Sequence, residues 1–380
     1  MKGGYRLGLG AVALLGLASI ALVQEVREGW WVPGRQLPLP AAASPELREV
    51  LRSGPVPNVE AARKAVPADW AREAERNDRA AARAVREAAR RASVSLQPAT
   101  IAGARVHRVW PPAIAREHQN HLLLYFHGGA YVLNAGVAGL MEPVLIAARI
   151  GIPVLAVDYR MPPAHPFPAA LEDAVAVYRA QLETRDPCTL AVGGTSAGGG
   201  LTLALMQRLK SLGLPLPGAM YLGTPWADLT KTGDSLWINE GIDRLLVTYD
   251  GPLHAAARLY AGGHDLRDPL LSPVYGDFAG LPPAYLVTGT RDLFLSHTIR
   301  VHRRLREAGV PAELNVYEGL SHGDYIGVPD SPESRAVYRE LGAFLSRHLS
   351  SADPTHPRGG ETLDPKVSGT TDGSPLDRAS

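Results

Sequence analysis

Two glycine-rich segments and two later loops carry the side chains and backbone groups that could act together on a carbonyl compound. Gly194-Thr195-Ser196-Ala197-Gly198 follows an apolar run, residues 189–192, and opens a stretch containing Leu201, Leu203, Ala204, Leu205 and Met206. A strand, a sharp turn and a helix in that order hold a serine hydroxyl outward at the tip, as a nucleophile requires. The glycines matter because the strand and the helix pass close to the turn. The pentapeptide alone is a weak signal in a chain with 39 glycines. A phosphate loop or a plain strand-to-helix turn uses similar residues, although no Gly-Lys-Ser/Thr follows. His127-Gly128-Gly129-Ala130 comes after the apolar run 121–126. Backbone N–H groups there, with that of Ala197, could face a developing oxyanion, each donor contributing about 3 kcal/mol to the transition state. His127 itself reads as structural, holding the loop by hydrogen bonds.

A serine hydroxyl needs a base, and the base an orienting acid. Asp292 follows the run 284–287 through Thr288-Gly289-Thr290-Arg291, and His322 follows the run 313–317 through Glu318-Gly319-Leu320-Ser321. If both runs are parallel strands, both loops leave the same sheet edge as Ser196. The succession serine, acid, histidine is one that such folds use. Competing acids are Asp228, Asp324 and Asp330. Asp228 comes after an earlier strand, and Asp324 is close to His322 in sequence for a place behind its ring. No ligand cluster such as His-Glu-x-x-His occurs, so neither a metal nor an organic cofactor is expected.

These loops need a scaffold, and from about residue 100 the pattern supplies one. Apolar, β-branched runs at 105–109, 121–126, 153–157, 189–192, 219–222, 284–287 and 313–317 alternate with helical stretches at 169–185, 197–212 and 296–308. That alternation predicts an α/β fold, a mostly parallel central sheet flanked by helices. Residues 225–283 exceed what one crossover needs and are expected to contribute a lid. Residues 70–95 read as a helix on which Arg72, Arg76, Arg79, Arg83, Arg86 and Arg90 form a basic stripe. The stripe suits either anionic lipid or a solvated face with Glu73, Glu75 and Glu87 interspersed.

The chain has 380 residues, 39 Lys plus Arg against 38 Asp plus Glu, 46% hydrophobic and 20% charged residues. This composition excludes a disordered chain, a collagen and a polytopic membrane protein. A net charge of +1 gives no whole-molecule attraction for nucleic acid. The single cysteine, Cys188, makes neither an intramolecular disulfide nor a cysteine-rich zinc site. Residues 7–23, from Leu7 to Val23, carry no charge and follow Lys2 and Arg6. They are expected to be an export signal or, by preference, an uncleaved membrane anchor at the cell envelope. The expected division is therefore a leading segment 1–29, a domain 30–350 with cap elements at 44–95 and 225–280, and a disordered, Pro/Gly/Ser/Thr-rich tail 351–380.

His127-Gly128-Gly129-Ala130, residues 158–170 (Asp-Tyr-Arg-Met-Pro-Pro-Ala-His-Pro-Phe-Pro-Ala-Ala), Gly194-Thr195-Ser196-Ala197-Gly198 and Gly319-Leu320-Ser321-His322-Gly323 together resemble the hormone-sensitive-lipase family of α/β hydrolases. The resemblance spans about residues 100–348. It implies an α/β-hydrolase fold with a helical cap, and a serine carboxylesterase that cleaves short- to medium-chain acyl esters through an acyl-enzyme. It further implies Ser196 as nucleophile, Asp292 as acid, His322 as base, and Gly128, Gly129, Ala130 and Ala197 around the oxyanion. Ala130 replaces a usual glycine, so an ordinary backbone conformation is expected there. Thr195 stands where Asp is commoner, similar to a Gly-Thr-Ser-Ala-Gly branch. Leu293 and Ser296 replace a usual Pro and second acid after Asp292. Rival readings are the same triad acting on amides, lactones or thioesters, a binding protein on this fold, and an envelope scaffold. His322 speaks against the binding protein. Trp226, Tyr131 and Phe167 suit either a substrate pocket or ordinary core.

Overall fold

Five short runs of Leu, Val, Ala, Tyr and Gly are buried at every position: β3 Leu122–Phe126, β4 Val154–Asp158, β5 Leu190–Thr195, β6 Ala219–Gly223 and β7 Ala284–Gly289. Strands covered on both faces lose the polar alternation of a half-exposed sheet, and parallel pairing with crossover helices follows. The computed structural model describes residues 37–350. Its eight strands form one sheet in the order β1-β2-β4-β3-β5-β6-β7-β8, where β1 is Ser95–Ile101, β2 Ala104–Trp110 and β8 Ala312–Tyr317. The pairs from β4 to β8 are parallel, and only β1–β2 and β2–β4 run antiparallel.

All seven expected strands are present within three residues of their expected ends, and β1 is additional. Its sequence, Ser-Leu-Gln-Pro-Ala-Thr-Ile, holds a proline and mostly exposed positions, which an edge strand tolerates and a sequence pattern hides. Ala102 and Gly103, both at positive φ, join it to β2 in a two-residue hairpin turn.

Alternate residues of each inner strand enter opposite cores. Leu122, Leu124 and Phe126 join Leu171 and Val177 of α5 (Ala169–Leu182), Leu201 and Leu205 of α6 (Ala197–Ser211), and Val301 and Leu305 of α9 (Leu295–Glu307). Leu123 and Tyr125 join Val144 and Ile146 of α4 (Met141–Ile150) and Val337, Leu341 and Phe344 of α11 (Pro332–His348). The sheet is thus the middle of three layers.

Three N-terminal helices, α1 Pro45–Ser53, α2 Val59–Lys64 and α3 Trp70–Arg91, are capped in turn by the side chains of Ser44, Asn58 and Asp69. Along α3, Arg76 pairs with Glu73, Arg79 with Glu75, and Arg90 and Arg91 with Glu87. The basic stripe is therefore interleaved with its own acidic partners. Between β6 and β7 lie α7 Ser235–Ile238 and α8 Pro252–Ala261, and a further short helix, α10 Asp324–Gly327, follows β8. Among the described residues no helix is long and apolar enough to cross a membrane. The expected anchor at 7–23 and the expected tail at 351–380 lie outside the described residues.

Candidate active site

The loops that leave the C-terminal ends of β3, β5, β6, β7 and β8 all open on one edge of the sheet, where ligands of parallel α/β folds bind. Ser196 sits between β5 and α6 at φ 61 and ψ −121, a conformation that non-glycine residues rarely adopt. Its backbone is fastened on both sides: the Ser196 N–H donates to Gly223 O (2.8 Å), and the Trp226 N–H donates to Ser196 O (2.8 Å). The glycines of the turn are there for closeness. A Cβ at Gly194 would lie 2.3 Å from Phe126 O and one at Gly198 only 1.9 Å from it.

The segment after β3 packs directly on this turn, since a Cβ at Gly128 would lie 3.2 Å from Ser196 Cβ. The N–H groups of Gly128, Gly129 and Ala130 donate to no other described residue. Ala197 opens α6, where the first-turn N–H groups lack intrahelical acceptors. The expectation of an ordinary conformation at Ala130 is corrected: Ala130 has φ 54 and Tyr131 φ 64. The turn is closed by Val132 N–H and Leu133 N–H donating to Gly129 O at 3.0 and 2.9 Å, and this closure holds both residues left-handed. From α3, the Asp78 carboxylate accepts the N–H groups of Asn134 (2.7 Å) and Ala135 (3.0 Å). His127 holds the loop as expected: its ring stacks on Tyr159 with centroids 4.2 Å apart, and Nδ1 lies 2.7 Å from Gly128 O. Burial lowers its proton affinity, against the Gly128 carbonyl that raises it.

His322 and Asp292 meet as the spacing predicted, with Nδ1 3.1 Å from Oδ1. Asp292 Oδ1 also accepts the Phe294 N–H (2.7 Å), while Oδ2 accepts the hydroxyls of Thr288 (2.8 Å) and Thr224. Thr224 Oγ1 is in addition 3.0 Å from His322 Nδ1. It follows Gly223, the residue bonded to the Ser196 backbone, and so links the Ser196 turn to the pair. Ser196 Oγ itself makes no hydrogen bond to another described residue. Burial opposes charge on Asp292, but His322 and the hydrogen bonds from His322, Thr224 and Phe294 hold its carboxyl below the usual range. Burial likewise opposes a charged His322, yet Asp292, Asp243 and Asp324 outweigh it and raise the imidazole.

The competing acids are engaged elsewhere. Asp228 accepts from Thr230, Tyr275 and Arg300. Asp324 pairs with Arg244 and accepts the Ser321 N–H, and Asp330 is exposed. Trp226 and Tyr131 are core, Tyr131 stacking on Tyr260 of α8 with centroids 3.7 Å apart. Phe167 is half-buried and borders a separate groove. A cleft of about 460 Å³ between α3 and the loop after β4 is lined by Asp78, Val132 and Tyr159 but not by Ser196.

Three residues escaped the sequence reading. Thr224 has no motif around it. Asp243 lies in the long insertion, where no periodicity guides the eye; its Oδ2 accepts the Leu293 N–H (2.8 Å), so the backbone beside Asp292 is satisfied without a local second acid. Glu142 did leave a signal, a lone acid in the apolar run Met-Glu-Pro-Val-Leu-Ile. It is buried near the Ser196 turn, where it accepts the hydroxyls of Tyr125 and Tyr221. Tyr325 OH joins the cluster 3.1 Å from Tyr221 OH and 2.9 Å from Thr195 Oγ1. Burial raises the Glu142 carboxyl above its ordinary value despite those hydrogen bonds.

Residues 123–326 match a family model described as an alpha/beta hydrolase fold. The chain is 38% identical to an acetyl-hydrolase of Streptomyces hygroscopicus over 59% of its own length and 74% of that protein. The crystal structure of an esterase E25 superposes with a TM-score of 0.83 at 46% identity, covering 85% of this chain and 99% of that one. An esterase from the bacterial hormone-sensitive lipase family gives a TM-score of 0.69 at 31% identity, covering 81% of this chain and 100% of that one.

Proposed function

Because this chain belongs to the hormone-sensitive-lipase family of α/β hydrolases and is a hydrolase of the carboxylesterase type, we propose that it cleaves short- to medium-chain acyl esters with Ser196 as nucleophile. His322 Nε2 takes the hydroxyl proton as Ser196 Oγ attacks the ester carbonyl. Asp292 holds the Nδ1–H tautomer and stabilises the imidazolium that forms. The N–H groups of Gly128, Gly129, Ala130 and Ala197 surround the developing oxyanion. The tetrahedral intermediate collapses with expulsion of the alcohol, which receives the proton from His322, and leaves an acyl-serine. Water, deprotonated by the same imidazole, then releases the acid and restores Ser196.

The observation that carries this reading is the linkage through Thr224. The Ser196 backbone bonds to Gly223 and Trp226, and the intervening threonine touches both Asp292 and His322. The acetyl-hydrolase relative supports a small acyl group. Residues 44–95 and 225–280 form the cap in this proposal, and Asp78 and Tyr260 are the points where they meet the loop after β3. Residues 7–23 anchor the enzyme at the envelope or export it, which fractionation of cells expressing the full chain tests. The activity is tested with p-nitrophenyl esters from acetyl to dodecanoyl, using the full chain and Ser196→Ala. Turnover that depends on Ser196 and declines for long acyl chains is expected. Full activity in Ser196→Ala refutes the proposal.

A further inference from the structure

The insertion after β6 reaches into both loops that carry the proposed acid and base, and it does so through one carboxylate. Asp243 is fully buried. Its Oδ1 accepts the N–H groups of Leu245 (2.8 Å) and Leu246 (3.0 Å), which closes its own turn. Its Oδ2 accepts the N–H groups of Leu293 (2.8 Å) and of His322 itself (3.3 Å). The neighbours of Asp243 repeat the pattern. Asn239 Nδ2 donates to the carbonyls of Thr290 (3.2 Å) and Asp292 (2.8 Å). Arg244 N–H donates to Ser321 Oγ (3.2 Å), and the Arg244 guanidinium pairs with Asp324. Residues 239–244 thus grip residues 290–293 on one side and 321–324 on the other.

We propose that Asp243 is a positioning residue for the esterase reaction, its carboxylate setting the spacing of the acid and base loops and adding a second negative charge behind His322. The proposal rests on the Ser196, Asp292 and His322 reading. Burial and the neighbouring Asp292 raise the Asp243 carboxyl above its ordinary value, while His322 and the N–H groups of Leu293 and Leu246 work against that rise. Four N–H donors in all surround this buried carboxylate, and each of them favours its charged form. Asp292 meets the His322 ring and Asp243 its backbone N–H, so both carboxylates attract a proton on that imidazole. On proton transfer from Ser196 the ring becomes an imidazolium that both carboxylates attract, while the negative charge passes to the oxyanion among the loop N–H groups, so the transfer is favoured. The other groups facing His322 do not cancel this effect. His297 of α9 is kept neutral by burial, its pKa lowered to about 4. Phe294 presents its ring with centroids 4.9 Å apart, Thr224 offers a hydroxyl, and the charge of Asp324 is met by Arg244.

The test uses the full chain and compares Asp243→Asn, Asp243→Glu and Arg244→Gln with wild type, with Ser196→Ala as the control for the underlying reading. The readouts are kcat, KM and the pH dependence of kcat/KM for p-nitrophenyl butyrate. Asp243→Asn is expected to lower kcat by about tenfold to a hundredfold through misplacement, with KM little changed. It should also move the acid limb of the pH profile to lower pH, because a negative charge behind the base is gone. Arg244→Gln should move that limb the other way by exposing the charge of Asp324. Asp243→Glu should keep the limb in place while kcat still falls. An acid limb unmoved in Asp243→Asn, with Ser196→Ala inactive, overturns the proposal and leaves the triad standing. Ser196→Ala with full activity overturns the triad instead. If Asp243→Asn does not fold, Asp243→Glu decides: reduced kcat with the limb in place supports the proposal, and unchanged kcat overturns it.

Discussion

Replacing Asp292 by Asn separates what the acid contributes by charge from what it contributes by shape. Oδ1 accepts both the Phe294 N–H and His322 Nδ1, whereas Oδ2 faces the hydroxyls of Thr224 and Thr288. A backbone N–H can only donate, so the new side-chain amide must put its carbonyl oxygen where Oδ1 of Asp292 now lies. Its N–H groups then point to two hydroxyls that can turn and accept. The carbonyl still accepts from Nδ1–H, and the productive tautomer survives. What disappears is the charge. A hydrogen bond to an ionised partner contributes about 1.5–3 kcal/mol against about 0.5–1.5 kcal/mol for a neutral one. The difference, about 1–1.5 kcal/mol, corresponds to a fall in kcat of about five- to fifteenfold. A loss near 10⁴ is the mark of an amide turned to present N–H to the imidazole. The assay is kcat for p-nitrophenyl butyrate at a pH above the acid limb, with Asp292→Ala beside it. The alanine variant should be worse, since it strands the Phe294 N–H and both threonines. A fall of about 10⁴ in Asp292→Asn refutes the orientation argued here, and a fall below about threefold refutes dependence of His322 on the Asp292 charge.

The raised imidazole of His322 sets a pH dependence. The base must be neutral to accept the serine proton, so kcat/KM should fall as pH drops through a value above 6.5, and an acid limb below 6.5 contradicts it. The same shift acts on folding: its contribution is fully present below pH 6.5 and is lost as pH rises through the folded value, and His322→Gln should lack that dependence in thermal melts. Glu142, with its carboxyl raised by burial, stabilises most below its ordinary value of 4.5 and less as pH rises through the folded value. Glu142→Gln should therefore gain in melting temperature relative to wild type as pH rises above 4.5, and a relative loss overturns this reading. Ala130→Gly should relieve a left-handed alanine costing about 1–2 kcal/mol, offset by about 0.4–1 kcal/mol of added chain entropy. A net gain of about 0.5–1 kcal/mol in urea unfolding is expected, and a loss contradicts the strain at Ala130.

The inner parallel strands were legible because full burial writes them as unbroken apolar runs, and the turns between them as glycines. The candidates Ser196 and Asp292 each follow such a run at a fixed short distance, whereas His322 follows β8, a half-exposed edge strand with Glu313 and Asn315 in it. β1 was not legible, since an exposed edge strand with Pro98 carries no apolar pattern. The backbone of Ala130 misled for another reason. Local propensity disfavours positive φ, but the closure of the loop onto Gly129 overrides it. Thr224 reaches Asp292 across 68 residues of chain, and Asp243 reaches Leu293 across 50 and His322 across 79. A contact of that kind is created by topology and leaves no local signature.

The nucleophile is the centre of the account, and covalent capture tests it most directly. The full chain is treated with a fluorophosphonate that serine hydrolases attack, then analysed by intact mass and peptide mapping, with esterase activity followed in parallel. One phosphonyl group per chain is expected, on Ser196, acquired at the rate at which activity is lost, and none on His322→Ala within the same time. Label on a different residue, or full inactivation with Ser196 unmodified, would contradict it.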